Sequence, residues 1–158
     1  MDSYHIGMAQ FLVIKAPGII RSTGLGSCIG VILYDPFAKI GGMAHAMLPK
    51  HRPGKGDNQA KYVDSAINAM LTEMVALGAN QHNIIAKLAG GAQMFRDTDK
   101  NSLMAIGQKN ITAAEEHLSN LGIPIVTRDL GGNEGRTLEL DCRDGVLYIK
   151  TISAETKI

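Results

Sequence analysis

The chain has 158 residues, 45% of them apolar and 20% charged, with a formal net charge of +1; this suits one globular domain, residues 1–158 with a core from about 8 to 152. The near-neutral charge, the lack of Trp and an aromatic content of only 4% exclude a basic nucleic-acid footprint and an aromatic platform for single strands. No apolar run approaches the ~18–20 residues of a membrane span, Met1-Asp2-Ser3-Tyr4-His5 does not read as an export signal, and two cysteines are too few for a disulfide framework, so a cytoplasmic protein with free thiols is expected.

Met8 to Ile14 reads as a strand, followed by a turn at Ala16-Pro17-Gly18. Ile19-Ile20 opens a second strand that runs through Ser22-Thr23 into the glycine loop Gly24-Leu25-Gly26-Ser27. Cys28 to Tyr34 is an apolar, β-branched run ended by Asp35-Pro36, which puts Cys28 at a strand entrance. Ile40 to Leu48 is a further strand, closed by Pro49, and Lys50 to Asn58 is a polar surface loop.

A first helix is expected from a cap at Asp57 or Asn58, with Val63, Ile67, Met70, Leu71 and Met74 at helical spacing and a stop at Gly78. Ile84 to Ala89 is a buried-type strand, broken by Ala89-Gly90-Gly91-Ala92 beside Met94-Phe95, and Arg96 to Ser102 is a charged loop. The two-glycine breaks here and at Gly131-Gly132 read equally as the lining of a partner groove or active-site floor, or as turns needing positive φ. The second helix carries Ile111, Ala114, Leu118 and Leu121 on one stripe and ends at Gly122 and Pro124. Ile123 to Leu130 is a strand, and Leu138, Leu140 and Cys142 alternate into a terminal hairpin that returns over Val146 to Ile152, with a frayed polar tail. The order is not a regular βαβ alternation, so the fold predicted is α+β: a largely antiparallel two-sheet core with two main helices packed on one side.

The candidate chemistry lies at Cys28. A free thiol with a pKa of ~8.5 is mostly protonated at neutral pH and needs an activator. Open amides in Gly24, Gly26 and Ser27 favour negative charge, and His45, on the next strand, can take the proton and hold the thiolate as an ion pair. Ser22 and Thr23 offer hydroxyls to orient the imidazole; strand alternation points them to opposite faces, so only one can do so. The same amides, the Cys28 N–H first, could stabilise an oxyanion. Cys142 continues the Leu138/Leu140 face and reads as a core residue; a redox switch with Cys28 would need the two α-carbons within about 7 Å. Gly24 to Gly30 superficially resembles a dinucleotide fingerprint, but its third glycine is one place late and the loop feeds a strand. The spacing of Cys28, His45 and His51 is not of the zinc kind. No cofactor or metal is called for.

An ordered set of motifs resembles the CheD family of chemoreceptor glutamine deamidases: Leu25-Gly26-Ser27-Cys28, Gly42-Met43-Ala44-His45 with Leu48-Pro49, Tyr62 to Ile67, Ala86 to Ala92 with Met94-Phe95, Ile106-Gly107 with Asn110, and Gly131-Gly132 with Gly135-Arg136. The resemblance implies deamidation of glutamines on the cytoplasmic coiled-coil helices of chemoreceptors, in some members also cleavage of receptor methyl esters. It implies a triad of Cys28, His45 and, where the family usually has Thr, Ser22, with Thr23 as the alternative orienting residue. A second departure is Lys109, where an Arg commonly precedes the Asn. It further implies a monomer, or a heterodimer with a CheC-type phosphatase, and an alternative role as a module docking that phosphatase and receptors. The substrate demands a surface site, with the Lys50–Asn58 loop at its edge.

Overall fold

The computed structural model describes residues 1–52, 54, 56, 58–93 and 106–158. In chain order the strands and helices are β1 (Ser3–Ile6), β2 (Gln10–Lys15), β3 (Ile19–Leu25), β4 (Ile29–Asp35), β5 (Ile40–Ala46), α1 (Val63–Ala76), β6 (Ile85–Gly90), α2 (Ile106–Asn120), β7 (Ile125–Leu130), β8 (Arg136–Asp141), β9 (Val146–Lys150) and β10 (Glu155–Lys157). One sheet has the order β1-β3-β8-β9-β10 and the other β2-β5-β4-β6-β7. Pairings are antiparallel except β1 with β3 and β6 with β7, which are parallel. The fold is α+β, as the pattern predicts.

The second sheet is the middle layer. Every residue of β4 and β5 is buried, because the helices cover one face and the first sheet covers the other. Ile29, Val31 and Leu33 point to the helix layer, where Ile67, Met70, Ala114 and Leu118 meet them. Ile32 and Tyr34 point to the first sheet and pack on Leu138, Leu140 and Cys142. A strand covered on both faces reads as a continuous apolar run, which is how β4 appears in the sequence.

Three expectations need correction. The first helix does not start at Asn58: that side chain accepts from the Ala60 amide and caps a 3₁₀ turn at Gln59–Lys61, and the α-helix begins after Tyr62. The chain after Ile152 is not frayed, since Glu155–Lys157 pair with β9 and Ile158 exchanges backbone bonds with Leu147. The N-terminal segment, read as no element, is β1, in parallel register with β3. Met94-Phe95, the Arg96–Ser102 loop and Asp57 as a cap lie outside the described residues. None of the described helices is long and apolar enough to cross a membrane.

Candidate active site

Ser22 is on β3 of the first sheet and His45 on β5 of the second, and the site begins where they meet. The Ser22 hydroxyl is fully buried and lies 2.9 Å from His45 Nδ1. It also donates to the Ile6 carbonyl at 2.9 Å. A serine has one hydroxyl hydrogen. With that hydrogen committed to Ile6, Ser22 can only accept from the imidazole, so His45 carries its proton on Nδ1. Nε2 is then the basic nitrogen, and it is buried with no hydrogen-bond partner. Thr23 faces the other way: it is exposed, and its hydroxyl is 3.5 Å from His5 Nε2. Of the two candidate hydroxyls, Ser22 is the one that meets His45.

Cys28 immediately precedes β4. Gly30 is the register partner of His45, and Cys28 shares the parity of Gly30, Ile32 and Tyr34, the residues that face the first sheet. Cys28 is 8% exposed and His45 1%. Burial pushes the Cys28 thiol above its usual 9.0, partly offset by its own backbone N–H, and burial pushes His45 down to about 4. Both shifts favour the neutral forms. Burial thus works against the charged form of each group, and His45 Nε2 makes no hydrogen bond to the thiol. A neutral imidazole with a free Nε2 is the form that can act as a general base.

The glycine loop is held from one side. Gly24 sits in a bulge of the β3–β8 ladder between Ser22 and Leu25, with open space where a Cβ would stand. The Gly26 carbonyl accepts from the Ala92 amide at 2.9 Å and the Cys28 carbonyl from the Gly91 amide at 2.8 Å. Between them, the Ser27 carbonyl accepts from Asn110 Nδ2 at 3.0 Å. In a trans peptide the N–H of the next residue opposes the carbonyl. The amides of Ser27 and Cys28 therefore point away from Ala92 and Asn110. Neither amide donates a hydrogen bond to another residue among the described backbone contacts of the loop, so both remain open donors beside the thiol.

The sequence reading did not foresee the wall behind the loop. Asn110 is wholly buried on α2, and its one amide nitrogen also donates to the Met47 carbonyl at 3.0 Å. It thus ties the residue before Cys28 to the chain just beyond His45. Gly90 and Gly91 have φ of +115° and +65°, as the turn reading requires, and they form a close packing point. A Cβ on Gly91 would stand 2.6 Å from Ile111, and one on Gly107 would stand 2.7 Å from the carbonyl oxygens of both Gly91 and Ala92. Cys142 is buried between the sheets, where its sulfur neighbours Gly41, at the opposite end of β5 from His45. Its thiol is pushed up to about 12, mainly by burial. Both cysteines are free.

Residues 47–151 match the family described as CheD chemotactic sensory transduction. The chain is 47% identical to the probable chemoreceptor glutamine deamidase CheD of Caldanaerobacter subterraneus subsp. tengcongensis, covering 97% of this chain and 95% of the relative. It is 45% identical to the chemoreceptor glutamine deamidase CheD of Halalkalibacterium halodurans, covering 96% and 94%. The probable chemoreceptor glutamine deamidase CheD of Desulfitobacterium hafniense is 44% identical, covering 97% and 96%.

Proposed function

The chain belongs to the CheD family, and we propose that it hydrolyses glutamine side-chain amides on the cytoplasmic segments of chemoreceptors. In this reading Cys28 is the nucleophile, His45 the general base and then acid, and Ser22 the group that orients His45. The observation that supports it is the hydrogen-bond chain from Ile6 through Ser22 to His45 Nδ1, which leaves the Nε2 lone pair free in a buried seam.

His45 Nε2 takes the thiol proton as the Cys28 sulfur attacks the carboxamide carbon. The carbonyl oxygen becomes an oxyanion held by the Ser27 and Cys28 amides. The imidazolium then gives its proton to the amide nitrogen, ammonia leaves, and a thioester remains. His45 next deprotonates a water that attacks the thioester, and glutamate is released with the thiol restored. The Ser22 oxygen accepts the Nδ1–H throughout and stabilises the imidazolium that forms twice per turnover. A receptor methyl ester offers the same acyl carbon with methanol as the leaving group, so the same steps cover it.

The test is peptide mass spectrometry of a chemoreceptor cytoplasmic fragment incubated with the purified protein. Glutamine-to-glutamate conversion is expected with the wild type and is lost, by at least about 10²-fold, in Cys28→Ala. Equal conversion by the variant would refute the mechanism. Tight binding of a CheC-type phosphatase with every receptor glutamine left intact would replace the enzyme with a docking module.

A further inference from the structure

Beside the nucleophile loop lies a groove of about 950 Å³ between the chain after β5 and the outer face of α2. Its position follows from Asn110, whose nitrogen reaches Ser27 and Met47; Leu48 and Lys109, the neighbouring residues, are the first to line the groove. The groove is thus built onto the same tie that holds the loop of Cys28. One wall is fixed by backbone bonds from Met47 and Leu48 to the Lys61 carbonyl, and the His51 amide is held by Asp64 at 2.8 Å.

Its charge is one-sided. Among the described residues, Lys50, Arg52, Lys61 and Lys109 line it against a single acid, Glu116. Lys50, Arg52 and Lys109 are exposed and Lys61 half-buried, and none of the four makes an ion pair among the described residues. The whole chain carries a formal charge of only +1, so this is a local concentration and not general basicity. Four unpaired cations over a partly apolar floor match a polypeptide bearing carboxylates, and the open form admits a chain segment.

We propose that this groove binds an acidic segment of the substrate protein flanking the target glutamine, and so selects glutamines by the carboxylates near them. The inference rests on the deamidase reading and adds the substrate feature that the catalytic groups cannot supply. Each exposed pair is worth only a few-fold in affinity, but four in one groove multiply to about ten- to hundredfold. The attraction is screened, since the Debye length is ~10 Å at 0.1 M salt.

The test is fluorescence anisotropy with two labelled synthetic peptides. Each carries one central glutamine; one has glutamates on both flanks, the other serines at the same places. Wild-type protein at low salt is expected to bind the glutamate peptide about tenfold more tightly, a preference that shrinks as salt rises. Arg52→Glu combined with Lys109→Glu should abolish it. Lys15→Glu combined with Lys157→Glu changes the net charge equally at exposed sites outside the groove and should preserve it. Equal or undetectable binding of the two peptides by the wild type overturns the proposal, as does an equal loss in the two double variants. Failure of the deamidase reading is separate: the preference persists while the central glutamine keeps its amide by mass.

Discussion

Ser22 has one hydrogen and two neighbours, and that count decides the chemistry of His45. Because Ile6 takes the hydrogen, the imidazole must donate through Nδ1 and present Nε2 as a base. Ser22→Ala leaves the Ile6 carbonyl and the Nδ1–H unpaired in a buried place, which costs about 1–3 kcal/mol of stability. It also frees the imidazole to take the other tautomer, so kcat on a receptor fragment should fall by at least about 10²-fold with the variant still folded. Ser22→Thr keeps the hydroxyl and should retain most of the activity, and Thr23→Ala should be neutral because that side chain is exposed. Full activity in Ser22→Ala would remove the orienting role. This pair of hydroxyls was legible in the sequence because facing on a strand has period two. The burial that works against the charged forms of Cys28 and His45 was not legible, since it comes from segments distant in the chain.

At the scale of elements, α2 meets the site through glycines where a methyl group would not fit. Gly107 poses opposed expectations. Replacing a helical glycine by alanine gains up to about 1 kcal/mol in a helix interior, and less at the second residue of a helix, where Gly107 stands. Here the new Cβ would stand 2.7 Å from two carbonyl oxygens of the 91–92 backbone, which has little freedom because Gly91 and Ala92 bind the loop at residues 26–28. Overpacking against backbone costs about 1–3 kcal/mol and should win. Gly107→Ala is therefore expected to lose stability in urea unfolding and to change the alkylation rate of Cys28 by iodoacetamide; a stabilised variant would show that the contact relaxes freely. Strands with dense apolar or alternating runs, β4 to β9, were readable because their side chains decide their placement. β1 and β10 were not, because Ser3–Ile6 and Glu155–Lys157 are mostly exposed and owe their pairing to backbone bonds that any sequence can make. The Asn110 tie was hidden for a related reason: it joins residues separated by 83 and 63 positions, and no local spacing marks it.

For the whole molecule, the important fact is that the proposed catalytic group spans two sheets. Ser22 belongs to one and His45 to the other, with Cys28 leading into the second, so the seam between the sheets must stay closed for the hydrogen-bond chain to exist. The same seam makes a charged imidazole costly, and this gives the fold a definite pH response. The pKa of His45 is about 4 in the folded chain against 6.5 for an ordinary histidine. Between those values the unfolded chain binds a proton that the folded chain refuses, so stability falls as pH drops through this window. The full difference corresponds to about 3 kcal/mol. Two buried carboxylates respond later. Asp35 is pushed up by burial but held below 3.8 overall by the amides of Ala38, Asn80 and Phe37, and Asp141 is held below 3.8 chiefly by its hydrogen bonds from Arg143. Groups with lowered carboxylate values keep their stabilisation until pH falls below the ordinary value, so they add a second loss under about pH 4. Urea unfolding across pH should therefore show a decline starting near pH 6.5 and steepening below 4. His45→Gln, which cannot titrate, should flatten the first segment and leave the second unchanged. An unaltered slope between pH 6.5 and 4 in that variant would mean that another group carries it and that the seam tolerates the imidazolium.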